Sequence, residues 1–365
     1  FSVWGLWAGI GIATLWRQAA EELRTTLRRA SPVLALAAVP LVFNWGWASR
    51  AGDYSARDWA YNLLMSVEPY AILFTNGDND TFPLWYLQEV EGIRRDVTVI
   101  VTSYLNTEWY AKQLKGLTTP CEEGVEPDPD WTLIRCQRPY RYDNTGAAYV
   151  SDPAEAEAAG KVPLLLDEPV REPTRPILPL TDEQIESVAL SYAPIEQDLQ
   201  LRMGDVVTVL RAGDLLSPWE QFALNLIDNS IDERPIYFAS SGNAASSLGL
   251  QDYLVREGLA FRLNPGPLEE VDGSDIRRMV ESPYTPVIGR WVDVERTRTL
   301  LDSVYVHRGG LPDEWPHWPD ASTLGIPSYY AWTYLAMAQA AIQDEDQEAL
   351  QRYQERAEVW SALGL

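Results

Sequence analysis

The sequence contains few cysteines, histidines and basic residues, and each shortage argues against a class of protein. Two cysteines in 365 residues exclude a disulfide-dense scaffold and a four-cysteine zinc site built from this chain alone. Two histidines argue against a histidine-rich metal centre. Only 29 lysines and arginines stand against 53 acidic residues, which gives a net charge of −24. Because nucleic-acid binding needs a basic surface, we expect no nucleic-acid partner.

Motifs of two common enzyme classes are also missing. The sequence has no glycine-rich phosphate-binding loop and no G-x-S-x-G motif, so neither a P-loop enzyme nor an α/β-hydrolase is supported. What the chain does have is apolar surface, because 46% of its residues are hydrophobic and 11% are aromatic. A chain of this length and composition can fill a sizeable core and is expected to hold about two domains.

Two uncharged apolar runs lie near the N-terminus, at residues 1–16 and 32–48. As helices they would be about 25 Å long, the lower limit for crossing a hydrocarbon core of about 30 Å. We therefore predict two transmembrane helices within residues 1–48, with two buried helices of a soluble domain as the alternative. The linker between the runs is rich in arginine, so the positive-inside rule places it in the cytoplasm. Residues from about Ser49 onward are then expected outside the cytoplasm.

The rest of the chain alternates strand and helix patterns. Residues 71–75 and 97–102 are predicted strands, separated by a polar turn and a helix. This pattern is a right-handed βαβ unit and predicts an α/β, Rossmann-like domain with a parallel sheet. Residues 250–257 are predicted to be helical. The predicted segments are a first part of the domain (49–116), an irregular insert (117–180), a second part (181–325) and a C-terminal helical hairpin like one tetratricopeptide unit (326–365).

Both cysteines lie in the predicted insert. Cys121 and Cys136 are 15 positions apart, and outside the cytoplasm a disulfide between them is plausible. In the chain-entropy model this bond would stabilise the insert by about 3 kcal/mol. Two buried thiols are the alternative. A short strand is also predicted within the insert, at residues 162–166.

The motif with most chemical content is the turn NGDNDT, which follows the first predicted strand. Asn76, Asp78, Asn79 and Asp80 place carboxylate and amide oxygens together, at the end of a strand where α/β proteins bind ligands. Such oxygens suit a divalent cation, Ca²⁺ or Mg²⁺, although no cofactor is certain. The structural alternative is that Asp80 or Thr81 caps the following helix, and a catalytic carboxylate is a third interpretation.

A second polar stretch follows a later strand pattern. Ser240, Ser241 and Asn243 come after the strand predicted at residues 235–240. Carboxyl ends of parallel strands meet at one edge of a sheet, so these residues are predicted to face the same crevice as the NGDNDT turn.

Several segments together resemble a known family. The run from Asn44 to about Leu114 resembles the bacterial multi-pass membrane family catalogued as domain of unknown function 2723. That family is regarded as glycosyltransferase-like and is related to transmembrane protein O-mannosyltransferases. The resemblance is dense over about 70 residues and weaker beyond them. Its residues are DYSARD at 53–58, YN at 61–62, AILFTNGDNDTFPLWY at 71–86, QEVEG at 88–92, RPIYFA at 234–239 and YLVREGLA at 253–260.

This resemblance implies the C-terminal extracytoplasmic part of an enzyme that transfers sugar from a lipid-linked donor. It implies the bacterial inner membrane, with this domain in the periplasm, and as partners the bilayer, a lipid-linked sugar and an acceptor protein or glycan. In such enzymes the catalytic acid is expected in an early outer loop, which this sequence does not contain. No catalytic residue can therefore be transferred to it. A membrane-anchored, non-catalytic binding or assembly module is the alternative, and a soluble hydrolase using Asp78 and Asp80 is a third.

Overall fold

Three helices form the first of the two units into which the chain divides, Phe1–Asp53 and Tyr54–Leu365. They are α1 (Ser2–Gln18), α2 (Glu21–Leu34) and α3 (Ala38–Ala48). The computed structural model describes residues 2–18, 21–34, 38–49, 51–128, 134–271, 273–308, 323 and 325–364.

The prediction of two transmembrane helices is wrong. Among the residues that the structure describes, no helix is both long enough and apolar enough to cross a membrane. The first apolar run forms α1, which has 17 residues and carries Arg17 in its last turn. The second run is divided, because its first residues end the charged helix α2 and its later residues form α3, which has only 11 residues. At 1.5 Å per residue, α1 is about 26 Å long and α3 about 17 Å.

The second unit contains a seven-stranded sheet with helices on both faces. Its helices are α4 (Ser55–Met65), α5 (Asp78–Glu89), α6 (Glu108–Thr118), α7 (Pro153–Ala158), α8 (Asp182–Ala189), α9 (Pro218–Ser230), α10 (Ala244–Ser247), α11 (Thr285–Ile288), α12 (Val294–Thr299), α13 (Gly325–Gln343) and α14 (Gln347–Gly364). Its strands are β1 (Ile72–Thr75), β2 (Thr98–Val101), β3 (Ala147–Val150), β4 (Val162–Leu165), β5 (Ala193–Pro194), β6 (Leu199–Met203), β7 (Val206–Leu210), β8 (Leu215–Leu216), β9 (Ile236–Ala239), β10 (Leu254–Glu257), β11 (Ala260–Leu263), β12 (Ile276–Arg278) and β13 (Trp291–Asp293).

The main sheet is mixed rather than parallel, which corrects the predicted Rossmann-like sheet. Its strand order is β12-β13-β10-β11-β9-β1-β2. Strand β1 runs parallel to both neighbours, β2 and β9, as the βαβ pattern predicts. Strand β11 is antiparallel to both β9 and β10, and β12 is antiparallel to β13. The parallel arrangement is therefore limited to the β9-β1-β2 edge and the β10-β13 pair.

A tight hairpin explains why the helix predicted at residues 250–257 is wrong. The segment 250–257, predicted as a helix, contains a 3₁₀ turn followed by β10. Strand β10 turns directly into β11 through Gly258, whose φ of +59° lies in the left-handed region that favours glycine. A side chain at this position would also meet the Tyr305 hydroxyl, at 2.0 Å from an added Cβ.

The sheet separates two hydrophobic cores, and alternate residues of β1 point into each of them. Leu73 belongs to the core that α4 and α13 complete, whereas Ile72 and Phe74 belong to the core that α6 and α9 complete. Phe74 stacks on Phe238 of β9, its partner in register, with ring centroids 5.0 Å apart. A strand buried on both faces has no polar side, which is why its sequence is continuously apolar.

The C-terminal helical pair is present, as α13 and α14. Its side chains Tyr330, Tyr353 and Trp360 belong to the same core as Trp59 of α4. The pair is thus part of the α/β fold, and its predicted likeness to a tetratricopeptide unit is not supported.

The predicted insert contains a small parallel sheet of β3 and β4, and β4 coincides with the strand predicted at residues 162–166. Tyr149 of β3 and Leu164 of β4 are buried in the main core. Cys121 and Cys136 are joined in a disulfide.

A buried ion pair holds the amino end of β1. The Arg94 guanidinium donates to both oxygens of Asp96, at 3.0 and 3.1 Å, and to the carbonyls of Leu64, Val67 and Glu68 at 2.8–2.9 Å. The side chains of Arg94 and Asp96 are 1% and 0% exposed. The pair thus closes the last turn of α4 and anchors the connection to β1.

Candidate functional site

Two polar loops meet at the carboxyl ends of β1 and β9. Because these strands are parallel neighbours, the chain leaves both at the same edge of the sheet, after Thr75 and after Ala239. The space beside the loops is a cleft of about 510 Å³. This volume lies within the range of small-molecule sites. Among the described residues, its lining comprises Trp59, Asn76, Gly77, Asp78, Asn79, Asp80, Ser241, Thr323, Gly325, Ile326 and Tyr329.

Asp80 organises the floor of this cleft. One carboxylate oxygen accepts the Gly77 N–H at 2.8 Å, and the other accepts the Asn76 N–H at 2.8 Å. The Ser241 hydroxyl donates to the second oxygen at 2.6 Å. Asp80 is only 6% exposed. Its carboxylate is therefore used to cap α5 and to join the loops after β1 and β9, which is the structural alternative given for this residue.

Two buried hydroxyls, of Thr75 and Thr81, stabilise the start of α5 next to Asp80. The Oγ1 atoms of Thr75 and Thr81 lie 2.7 Å apart, and Thr75 also donates to the Ile100 carbonyl at 3.1 Å. This arrangement ties the start of α5 to β1 and to β2. The start of the turn is therefore held by hydrogen bonds within the protein itself.

The other polar residues of the turn face solvent. Asn76, Asp78 and Asn79 are exposed, and all three line the cleft. One carboxylate oxygen of Asp78 lies 3.5 Å from the Tyr104 hydroxyl. The two aspartates of the turn therefore have different roles: Asp80 maintains the structure, and Asp78 offers an accessible carboxylate.

The second predicted group is brought only partly into the cleft. Of Ser240, Ser241 and Asn243, only Ser241 belongs to the described lining. The Ser240 hydroxyl donates instead to the Leu259 carbonyl at 2.6 Å and accepts from the Arg256 guanidinium at 3.4 Å. Asn243 is exposed where α10 begins.

Two aromatic rings complete the cleft, and sequence reasoning missed both. Trp59 of α4 is buried, and its ring centroid lies 6.3 Å from that of Tyr329 on α13. Burial raises the pKa of the Tyr329 hydroxyl, and the nearby charge of Asp80 raises it further. The Tyr329 hydroxyl therefore stays protonated at neutral pH and can donate a hydrogen bond. No local sequence signal identifies Tyr329, because it lies about 250 positions from the turn that it faces.

Divalent-cation binding receives no support from this geometry. Across the ranges that the structure describes, no group of three or more His, Cys, Asp or Glu side chains is placed to hold a metal ion. Asp80 already accepts three hydrogen bonds, so of the two aspartates only Asp78 could offer a free carboxylate.

Comparison with known proteins adds a relationship to these observations. A family model described as TMEM260-associated domain 2 matches residues 56–123 and 184–280. Both loops of the cleft, after β1 and after β9, fall within the matched residues. The mouse (Mus musculus) protein O-mannosyl-transferase TMEM260 is 31% identical over 132 residues.

Parts of the chain are therefore similar to TMEM260-type proteins. The aligned residues are 33% of this chain and only 19% of the mouse protein, so the match spans about a fifth of that protein's length. These matches support a related family, and they do not support membership of the domain of unknown function 2723 family specifically. No solved structure matches the chain.

Proposed function

We propose that this chain is an extracytoplasmic, acceptor-presenting part of a glycosyltransferase-like protein that uses a lipid-linked sugar. In this proposal the transfer chemistry is supplied by residues outside this chain. The cleft between the β1 and β9 loops receives the hydroxyl-rich acceptor or glycan. The observation that carries the proposal is that the match to TMEM260-associated domain 2 includes both loops that line the cleft.

The chemistry of the cleft suits a neutral ligand rich in hydroxyl groups. Asn76 and Asp78 offer amide and carboxylate oxygens that accept hydrogen bonds from hydroxyls, and Tyr329 and Ser241 offer hydroxyls of their own. The half-buried Tyr329 supplies apolar ring surface, and the buried Trp59 packs behind it. This combination of a few polar groups with an aromatic ring is typical of small-ligand sites.

A location outside the cytoplasm fits the disulfide between Cys121 and Cys136, because such bonds persist in oxidising compartments. A periplasmic location also fits the strongly acidic composition. Contact with a bilayer remains part of the proposal, since α1 and α3 carry exposed apolar side chains. These include Trp4, Trp7, Val42, Phe43 and Trp45.

A non-catalytic binding module is the second candidate, and the hydrogen bonding of Asp80 favours it. Asp80 is the more buried of the two aspartates, and its oxygens accept two backbone N–H groups and the Ser241 hydroxyl. These bonds occupy the carboxylate and commit it to structure rather than to catalysis.

The transfer of mannose in membranes tests the proposed function. Membranes containing the complete gene product would be supplied with polyprenyl-phosphate mannose and an acceptor protein, and incorporated mannose would be measured. We expect Asp78→Asn to reduce transfer about tenfold by weakening acceptor binding, which raises the KM for the acceptor. Asp205→Asn, at an exposed side chain on the β6–β7 turn, is the matched control. Equal transfer by both variants, or none by the wild type, would refute the proposal.

A further inference from the structure

An aromatic surface adjoins the cleft on the side of β2. It consists of Phe82 and Trp85 of α5, Tyr104 after β2 and Trp109 of α6, and we call it the aromatic platform. Ring centroids of successive members lie 5.7, 6.3 and 6.0 Å apart. Phe82 is 46% exposed and Trp109 is 54% exposed. Trp85 and Tyr104 between them are half-buried, so two exposed and two half-buried rings form a continuous apolar surface, which is typical of an interaction site.

We propose that the aromatic platform binds a neutral oligosaccharide by stacking. The C–H face of a pyranose ring is apolar and carries partial positive charge on its hydrogens. The faces of Trp and Tyr rings carry the complementary negative charge. The proposal deepens the proposed function, on which it rests for the choice of ligand class, by adding a binding surface beside the cleft.

The shape of the platform suits a chain of sugars rather than one flat ring. Interplanar angles between successive rings are 30°, 42° and 52°, so the surface curves from one member to the next. Trp85, Tyr104 and Trp109 also line a groove of about 390 Å³ along the edge of β2. The Tyr104 hydroxyl lies 3.5 Å from Asp78, which connects the platform to the polar cleft.

The charges around the platform favour a neutral ligand over an anionic one. Acidic residues beside the platform and its groove include Asp78, Glu89 and Glu108. The basic residues there are paired with carboxylates: Arg95 and Arg138 of the groove lining with Glu89, at 3.4 and 2.7 Å, and Lys112 of α6 with Glu186 at 2.5 Å. A phosphate or sulfate group would therefore have to compete with these carboxylates for a cation. Hydroxyl groups, by contrast, can donate to Asp78 and exchange hydrogen bonds with the exposed Gln113 amide.

The edge of β2 is closed to an added peptide strand. The Tyr110 hydroxyl accepts the Val101 N–H at 3.0 Å and lies 3.2 Å from the Val99 carbonyl. The Gln88 side-chain amide donates to the Val97 carbonyl at 2.8 Å. Strand addition requires free groups along such an edge, and here side chains occupy three of them. The groove therefore favours a ligand that stacks on rings over one that pairs with the backbone.

Calorimetric titration of the complete chain tests the proposal, with α-linked mannotriose, maltotriose and a decaproline peptide as probes. We expect at least one trisaccharide to bind saturably and Trp109→Ala to weaken that binding about tenfold. Trp109→Tyr should restore most of the affinity because it restores a ring. Tyr284→Ala removes a ring that is 60% exposed elsewhere on the surface and is the matched control.

Unchanged thermal midpoints would show that these variants fold, because Trp109 and Tyr284 are both exposed. The proposal is overturned if neither trisaccharide binds, if Trp109→Ala and Tyr284→Ala bind equally, or if decaproline binds more tightly than the sugars. Failure of the proposed function is distinguishable, since sugar binding through Trp109 without mannose transfer would contradict only the transferase role. Transfer without sugar binding would contradict only the platform.

Discussion

An aspartate that accepts backbone N–H groups lies beside each end of β1. The two ends differ in whether other polar side chains stay accessible to a ligand. At the amino end, Asp96 accepts from Arg94 and from the Tyr70 N–H, and its side chain is fully buried. At the carboxyl end, Asp80 is used in a similar way, but Asp78 and Asn76 stay exposed beside a cleft. The comparison teaches that polar residues at a strand end acquire a functional meaning only when the fold leaves some of them accessible.

The largest effect is expected at the amino end. Arg94→Met retains the apolar stem but leaves Asp96 buried without its cation, and three carbonyls lose their donor. We expect the free energy of unfolding to fall by about 3–5 kcal/mol. Chemical denaturation of both proteins measures the change. Arg202→Met, at a side chain that is 70% exposed, should have almost no effect. A loss below about 1 kcal/mol for Arg94→Met would contradict the structural role given to this end.

A smaller loss of stability is expected at the carboxyl end. Asp80→Ala removes three hydrogen-bond acceptor contacts and the cap of α5. The free energy of unfolding should fall by about 1–3 kcal/mol, less than for Arg94→Met because no buried charge is left unpaired. The same denaturation experiment measures it. An unchanged midpoint would show that Asp80 does not organise the turn.

His307, which lies at neither end of β1, should contribute to the loss of stability in acid. His307 packs against the rings of Tyr330 and Trp360, and burial lowers its pKa to about 4, helped by the nearby charge of Arg356. The folded state thus binds this proton less readily than the unfolded chain. The resulting stability is present above about pH 6.5 and is lost as the pH falls towards 4, by at most about 1.4 kcal/mol per pH unit.

The His307→Gln variant isolates this contribution, because it removes one imidazole and leaves the other histidine, His317, in place. Urea midpoints measured between pH 4 and 7 should fall more steeply in the wild type than in the variant. Parallel curves would contradict the lowered pKa of His307.

The smallest effect on stability is expected for the exposed aspartate. Asp78→Ala removes one charge from the first turn of α5, worth no more than about 0.5 kcal/mol at this exposed position. Binding of mannotriose should nevertheless weaken, because Asp78 faces the cleft. A large loss of stability without a change in binding would place Asp78 with Asp80 among the structural residues.

Local patterns predicted the β9-β1-β2 part of the fold and the meeting of the NGDNDT turn with Ser241. Continuous apolar runs identify strands buried on both faces, and parallel strands bring their carboxyl ends together. The prediction of membrane helices was wrong, because no described helix is both long enough and apolar enough to cross a membrane. The prediction of a helix at residues 250–257 was also wrong, because the turn at Gly258 overrides a helical pattern.

The aromatic residues of the site could not be predicted from the sequence. Trp59 and Tyr329 meet across about 270 positions, and no periodicity encodes a contact of that kind. The different roles of Asp78 and Asp80 could not be predicted either, because residue type and spacing do not say which carboxylate accepts the backbone N–H groups. Only the position of Gly77, extended before the helix begins, directs two N–H groups at Asp80.

Hydrogen–deuterium exchange with and without saturating α-mannotriose tests the central claim most directly, because it follows both ends of β1 in one experiment. The account predicts slower exchange in residues 76–82 and 104–110, which hold the polar turn and the aromatic platform, and unchanged exchange in residues 64–71, which precede β1 at its amino end and line neither the cleft nor the groove. Protection confined to the amino end, or no protection at either end, would contradict it.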